Sequence, residues 1–371
     1  MILFVITARP SYSRIRSALK ALEARRHPFK VIPAASALLR DYGEVRDLIR
    51  ADFPFHVTAD VPSVVDGGGL TESAISTGLL TVQLSTILSR YDNPTVVTIA
   101  DRKETLATAI AASYQNLRLC HVQGGEVSGS IDNKVRNAIT QLADLHLVST
   151  GTAAVMVSRM KPGAVVRDVG CPSVDLAAEA KRLGPLPGKD FVVIQHPVTT
   201  ERDQAGYQMR QTIRAMASHG DKVMWFWPGE DAGNEEMAKE LRLAGVHPVR
   251  NLEGVEFLRT LLGSGVLVGN SSVGIRECSF LGVPVVNVGN RQNGRERGPN
   301  VVDVSHDADA IWASASIIKG KVFPESHLYG DGKAGERIAE ILVRGPEVGP
   351  GVHTPVGAGS IPAPATPPEA A

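Results

Sequence analysis

Two sets of residues carry types and spacings that could do chemistry, and the first is Gly269-Asn270-Ser271-Ser272-Val273-Gly274. It lies between an apolar run at 266–268 and a helical pattern at 275–281, which puts glycines and hydroxyls at a strand-to-helix turn. A helix start presents unpaired N–H groups and the positive end of the helix dipole, and both suit a phosphate. Gly269 and Gly274 would let the backbone approach an anion closely. Glu277, near the helix start, could accept hydrogen bonds from ribose hydroxyls. Arg291, Arg295 and Arg297 follow a second strand at 285–288 and could clamp a diphosphate in bidentate fashion. The alternative is a Ser-capped helix followed by a solvated basic loop. The stretch is neither a G-x-G-x-x-G nor a Walker loop, so its motif does not support a dinucleotide or P-loop reading.

The second set is scattered in sequence but common in place. Arg9 follows an apolar run at 2–7, Asp101 one at 95–99, and His196 one at 191–195. Gln123, Glu126 and Asp132 follow a run at 117–121. Each has a structural alternative. Asp101 three residues before Glu104 reads as a capping box, Asp132 as an N-cap, and His196 before Pro197 as a packed turn histidine. Their shared position at strand ends favours a joint role. His121 and Glu126 have no second histidine–carboxylate cluster at ligand spacing, and no G-x-S-x-G elbow appears, so neither a metal centre nor a hydrolase triad is supported.

The elements that must position these residues alternate. Strands expected at 2–7, 29–34, 95–99, 117–121, 145–149 and 165–169 are separated by helices at 15–25, 38–50, 71–90, 104–115, 132–143 and 153–160, with a short strand at 55–57. A second alternating half runs through strands at 191–195, 222–227, 266–268 and 285–288, with helices at 204–218, 234–244, 253–262, 308–318 and 335–344. The fold class is therefore α/β, with two doubly wound Rossmann-like domains of parallel strands facing across a cleft. The expected divisions are 1–172 and 188–330, a last helix within 331–345, and a disordered Pro/Gly/Ala-rich tail at 346–371. The glycine run at 66–69 reads as a mobile loop. In such a fold ligands bind at the carboxyl ends of the strands.

Composition narrows the function. A chain of 371 residues favours two domains. Zero net charge argues against a nucleic-acid binder, and no apolar run reaches the roughly 20 residues of a membrane helix. The N-terminus reads as a strand rather than a signal peptide, and three dispersed cysteines fit reduced thiols, so a cytoplasmic setting is expected.

The chain resembles the UDP-N-acetylglucosamine 2-epimerases, most closely their hydrolysing branch, over about 1–345. The resemblance rests on Thr7-Ala8-Arg9, Ala100-Asp101-Arg102, His121-Val122-Gln123-Gly124-Gly125-Glu126, Ile131-Asp132, Arg136-Asn137-Ala138 and Gln195-His196-Pro197. It continues through Asp231-Ala232-Gly233 and Gly269-Asn270-Ser271-Ser272 to Arg291-Gln292. It implies the two-domain glycosyltransferase-B fold, a homodimer, a UDP-sugar substrate, no metal or other cofactor, and a last helix packed back on the first domain. It also implies elimination of UDP to 2-acetamidoglucal, then hydration to N-acetylmannosamine. By position Asp101 and Asp132 match the family's catalytic acids, with Glu126 and Gln123 beside them in the motif. His196 matches its phosphate-side histidine, expected with Arg9 and Arg291 as a fixed positive group. Gly269, Asn270, Ser271, Ser272 and Glu277 match its nucleotide-binding stretch. Two departures stand out. Gln123 replaces the usual glutamate and cannot abstract a proton, and Arg9-Pro10-Ser11-Tyr12-Ser13 replaces the usual Arg-Ala-Asp-Tyr-Gly. Both would face the sugar, which keeps UDP-diacetylbacillosamine open as substrate. A non-hydrolysing epimerase, a glycosyltransferase of the same architecture and a nucleotide-sugar-binding protein without turnover remain as alternatives.

Overall fold

The computed structural model describes residues 1–40, 45–65, 69–128, 131–229 and 231–345. Most of the glycine run at 66–69 and the whole tail at 346–371 lie outside the described residues.

Short Val/Ile/Leu-rich runs form strands buried on both faces, as a parallel sheet covered by helices requires. The first sheet holds β1 (Ile2–Ile6), β2 (Phe29–Pro33), β3 (Thr95–Ile99), β4 (Arg118–Val122), β5 (Leu145–Val148) and β6 (Val165–Asp168) in the order 2-1-3-4-5-6. The second holds β7 (Phe191–Ile194), β8 (Val223–Trp225), β9 (Val266–Gly269), β10 (Val285–Val288) and β11 (Val301–Val304) in the order 11-10-9-7-8. Every pairing between these strands is parallel. The result is two Rossmann-like lobes.

The two-residue period of a strand divides each sheet between two cores. Ile2, Phe4 and Ile6 face the core shared with Leu19 and Leu22 of helix Arg16–Ala24 and with Ile338 and Leu342 of helix Ala334–Arg344. Leu3 and Val5 face Leu80, Leu84 and Ala107 on the other side. In the second lobe Val192 and Ile194 take one side, Phe191 and Val193 the other.

Each sheet has a switch point. Strand β1 lies between β2 and β3, and β7 lies between β8 and β9. The carboxyl ends of β1 and β3, and of β7 and β9, therefore flank the two crevices where open α/β sheets take ligands. Arg9 and Asp101 follow the first pair; His196 and Ser271 follow the second.

Three local readings are corrected. No helix is expected between Gly170 and Lys189, yet helix Pro172–Leu183 fills that span with Pro172 in its first turn, and its Val174, Leu176, Ala177 and Ala180 join the second lobe's core. Proline suits a helix start, where its missing N–H costs nothing. The expected helix at 275–281 is two short turns, Ser272–Ile275 and Glu277–Leu281, broken at Arg276 (φ −101°, ψ −71°). Strand β11 has no counterpart in the sequence reading, while 55–57 contributes only a bridge, Val31 to Val57. No helix among the described residues is long and apolar enough to cross a membrane. Cys120, Cys171 and Cys278 are buried free thiols.

Candidate active site

The first-lobe half of the site begins with two strained residues. Ala100 (φ +66°) follows β3 and Gln123 (φ +69°) follows the adjacent β4. Each holds its place by donating its N–H to the next strand, Ala100 to Val122 at 2.9 Å and Gln123 to Leu147 at 2.8 Å. A left-handed conformation costs a non-glycine residue about 1–2 kcal/mol. Such strain clusters at functional sites. Here it turns the chain so that Asp101 and the Gly124-Gly125-Glu126 segment leave the sheet towards the second lobe.

Asp101 and Glu126 are buried and enclosed by guanidinium groups. Arg136, fully buried on helix Asp132–Leu142, donates to Asp101, to Ser128 Oγ at 3.1 Å and to the Glu126 carbonyl at 2.6 Å. Arg295 lies 3.8 Å from Asp101 and 3.0 Å from the Glu126 carboxylate, which also receives Arg276 at 2.5 Å. Burial alone would raise both carboxyl groups. For Asp101 it is outweighed by Arg136, Arg14 and Arg295, which hold the acid far below the usual carboxylate range. For Glu126 it is outweighed by Arg276, Arg295 and Arg136, which lower it to about 2. Both acids are in the base form at neutral pH.

Gln123 is 2% exposed; its Nε2 donates to Cys171 Sγ at 2.8 Å, and its Oε1 is buried with no hydrogen-bond partner among the described residues. Asp132 opens the helix that carries Arg136. Four residues apart, they share a helix face, so the turn that aims Arg136 at Asp101 carries Asp132 on the same side. His121 lies behind this rim, its ring Nε2 bonded to the Ala100 carbonyl at 2.9 Å.

The second-lobe half is stitched by amides. The His196 N–H donates to Asn270 Oδ1 at 2.7 Å, and Asn270 Nδ2 donates back to the His196 carbonyl at 2.8 Å. The Asn270 carbonyl accepts from Gln292 Nε2 at 2.8 Å and Arg291 Nη1 at 3.3 Å. Fully buried, Asn270 positions His196 and the loop beyond β10. Gly269 is needed for chain packing rather than for an anion: at φ +134°, a Cβ there would stand 2.1 Å from the Ile194 carbonyl oxygen. Gly274 likewise seats its turn on β10, where a Cβ would meet Val285 at 2.8 Å.

His196 is corrected in charge. Its Nδ1 accepts the Gly229 N–H at 2.9 Å, which leaves the proton on Nε2. Burial, then Arg291, lower its pKa to about 3. It is a neutral donor at neutral pH, not a fixed positive group. The three-arginine clamp also divides. Arg291 stays beside this rim, 3.6 Å from Asp231. Arg295 turns to the first-lobe acids, and Arg297 pairs with Asp303 at 3.2 Å.

Cross-lobe bonds bring the two halves together. Arg9 donates to the Leu252 carbonyl at 2.5 Å, Arg14 to Ser272 Oγ at 3.3 Å, and Arg16 pairs with Glu253 at 2.9 Å. Ser271 caps the turn Ser272–Ile275 without a side-chain cap bond, and Glu277 Oε2 is buried with no hydrogen-bond partner among the described residues. Arg14, Arg136 and Arg276 received no role in the sequence reading. Arginine in a helical pattern reads as a solvated face.

Known proteins resemble this chain in sequence and in fold. The sequence model of the family described as UDP-N-acetylglucosamine 2-epimerase matches residues 20–343. A UDP-N,N'-diacetylbacillosamine 2-epimerase (hydrolyzing) of Legionella pneumophila is 31% identical over 359 residues, 92% of this chain and 95% of that protein. A UDP-N-acetylglucosamine 2-epimerase of Neisseria meningitidis serogroup B is 30% identical over 281 residues, 71% of this chain and 74% of that protein. The solved UDP-GlcNAc 2-epimerase of Methanocaldococcus jannaschii, in complex with UDP-GlcNAc and UDP, is similar in fold at a TM-score of 0.73 and 16% identity, covering 93% of this chain and 100% of that one. The two-lobed glycosyltransferase-B arrangement is common to both. With the family model spanning most of its length, the chain belongs to the UDP-N-acetylglucosamine 2-epimerase family.

Proposed function

We propose that the protein is a hydrolysing 2-epimerase of a UDP-2-acetamido sugar, releasing UDP and the 2-epimerised free sugar. The observation that carries this reading is the meeting of two rims. Ionised Asp101 and Glu126 come from the first sheet's strand ends, and neutral His196 with Ser271 and Ser272 comes from the second's.

The C2 proton of the sugar is not acidic, so a carboxylate as weakly basic as Asp101 takes it only once the anomeric C–O bond is largely broken. The C1–O bond breaks, the C2 proton passes to Asp101, and UDP departs from 2-acetamidoglucal. His196 donates its Nε2 proton in a hydrogen bond to the leaving diphosphate, and Arg9 and Arg291 supply fixed positive charge. Glu277 Oε2 and the Ser271 and Ser272 hydroxyls hold the nucleotide. Hydration then places hydroxyl on C1 and a proton on C2 from the opposite face, with Asp132 as the second acid/base. Gln123 orients the sugar by hydrogen bonds, because its amide cannot move a proton.

Two features favour UDP-N,N'-diacetylbacillosamine over UDP-N-acetylglucosamine as the sugar. The relative acting on it is matched over 95% of its length, and Gln123 and Pro10-Ser11 alter the positions that would face the sugar. A product assay by NMR over a small panel of UDP-sugars tests the proposal. Free UDP and a free 2-epimer are expected. A UDP-linked epimer as the sole product would instead assign the non-hydrolysing reaction, and transfer to an added acceptor would assign a glycosyltransferase.

A further inference from the structure

Both ion pairs of the Glu126 carboxylate cross between the lobes. Arg276 and Arg295 belong to the second lobe, and all three side chains are at most 7% exposed. Arg295 also reaches Asp101 at 3.8 Å. Within the first lobe, by contrast, Arg136 touches Glu126 only at its backbone carbonyl. Arg276 itself sits at the break between the two short turns Ser272–Ile275 and Glu277–Leu281.

We propose that Arg276 and Arg295 are positioning residues. Their guanidinium groups, supplied by the second lobe, hold the Asp101 and Glu126 carboxylates of the first lobe in their working geometry. The inference rests on the function proposed above. Removing five charged groups, Asp101, Glu126, Arg136, Arg276 and Arg295, from water is costly, and a purely structural contact would be served as well by apolar side chains of similar volume. The groups lie instead at the strand ends where Asp101 and Glu126 leave the sheet. Asp101 is faced by Arg14, Arg136 and Arg295, and by His121 from β4. Glu126 is faced by Arg136, Arg276 and Arg295, and by Tyr329 from the connection between the lobes. Arg276 faces Glu277 and the Cys171 thiol in turn.

The test compares Arg276→Gln and Arg295→Gln with Arg276→Lys and Arg295→Lys in the full chain. Losing one opposing charge raises a carboxyl pKa by about 1 unit or more. The glutamine variants should therefore carry the acid limb of kcat up by about 1 pH unit and, because the carboxylates are no longer held in place, lower kcat at neutral pH at least about tenfold. The lysine variants keep the charge and lose the fork, so kcat should fall while the acid limb stays put. Unchanged kcat and an unchanged acid limb in folded glutamine variants would overturn the proposal. Should those variants not fold, a lysine pair with wild-type kcat would overturn it equally. If the wild-type protein turned over no UDP-sugar, the functional reading would fall alone. Carboxyl titrations by carbon-13 NMR would still decide this one: upward shifts of Asp101 and Glu126 in the variants support it, and unshifted titrations sink it.

Discussion

The two rims of the cleft solve the same positioning problem by opposite means. The first-lobe rim is charged, strained and incomplete on its own. Ala100 and Gln123 sit in the left-handed region, and Glu126 finds both its ion-pair partners across the cleft. On the second-lobe rim the histidine is held by bonds within its own lobe. Asn270 joins β9 to His196 through two hydrogen bonds, and His196 carries no charge at neutral pH. A rim that must move a proton thus takes part of its charge setting from the opposite lobe. A rim that must hold a leaving group is built from fixed dipoles and one arginine, which need no reorganisation.

The largest expected effect separates the rims by function. Asp101→Asn should lower kcat by about 10²–10⁴-fold and leave UDP binding by calorimetry within about threefold of wild type. Full turnover would remove Asp101 from its role. Next comes Gly269→Ala. The added Cβ meets a carbonyl oxygen 2.1 Å away in the second sheet, and no flexible side chain can yield. A stability loss of about 3 kcal/mol or more is expected in urea unfolding; a near-neutral change would show that the rim is less rigid than the contact implies. Glu277→Ala should weaken UDP binding about tenfold, roughly 1.4 kcal/mol, with little change in the acid limb of kcat. A shifted limb with unchanged affinity would move Glu277 to the charged rim.

The smallest effect is a slope. His196 at about 3, His121 at about 4 and His146 at about 3 are held neutral, chiefly by burial. Their folded pKa values lie below the unfolded one, so the unfolded chain binds more protons as pH falls below about 6.5, and stability drops. Glu126, lowered to about 2, contributes in full above about 4.5 and is lost only below that. Between pH 6.5 and 5 the loss should therefore follow the histidines, up to about 1.4 kcal/mol per pH unit for each. A flat urea-unfolding stability over that range would contradict their burial as neutral groups.

Much of this was legible in the sequence because strands announce themselves. The runs 95–99, 285–288 and 308–318 were read at the bounds the structure has, and strand ends in an α/β sheet point to the ligand crevice. What escaped has one cause. Pro172 looks like a terminator until the helix after it packs on Leu258 and Phe280. Arg136 and Arg276 look like solvated charges until the fold buries them against Asp101 and Glu126. The neutral charge of His196 comes first from burial, and its tautomer from an acceptor bond to the N–H of Gly229, a residue 33 positions away. These are properties of partners brought together by tertiary contact, and a one-dimensional pattern holds no record of them.

The central claim is that a first-lobe carboxylate exchanges the C2 hydrogen while the second lobe releases the nucleotide. Incubating wild-type protein with UDP-N-acetylglucosamine and UDP-diacetylbacillosamine in heavy water, with proton NMR of the products, tests it most directly. Free UDP and a sugar carrying deuterium at C2 are the expected products from at least one of the two, with neither accumulating for Asp101→Asn. A product that keeps its original hydrogen at C2 would contradict the account.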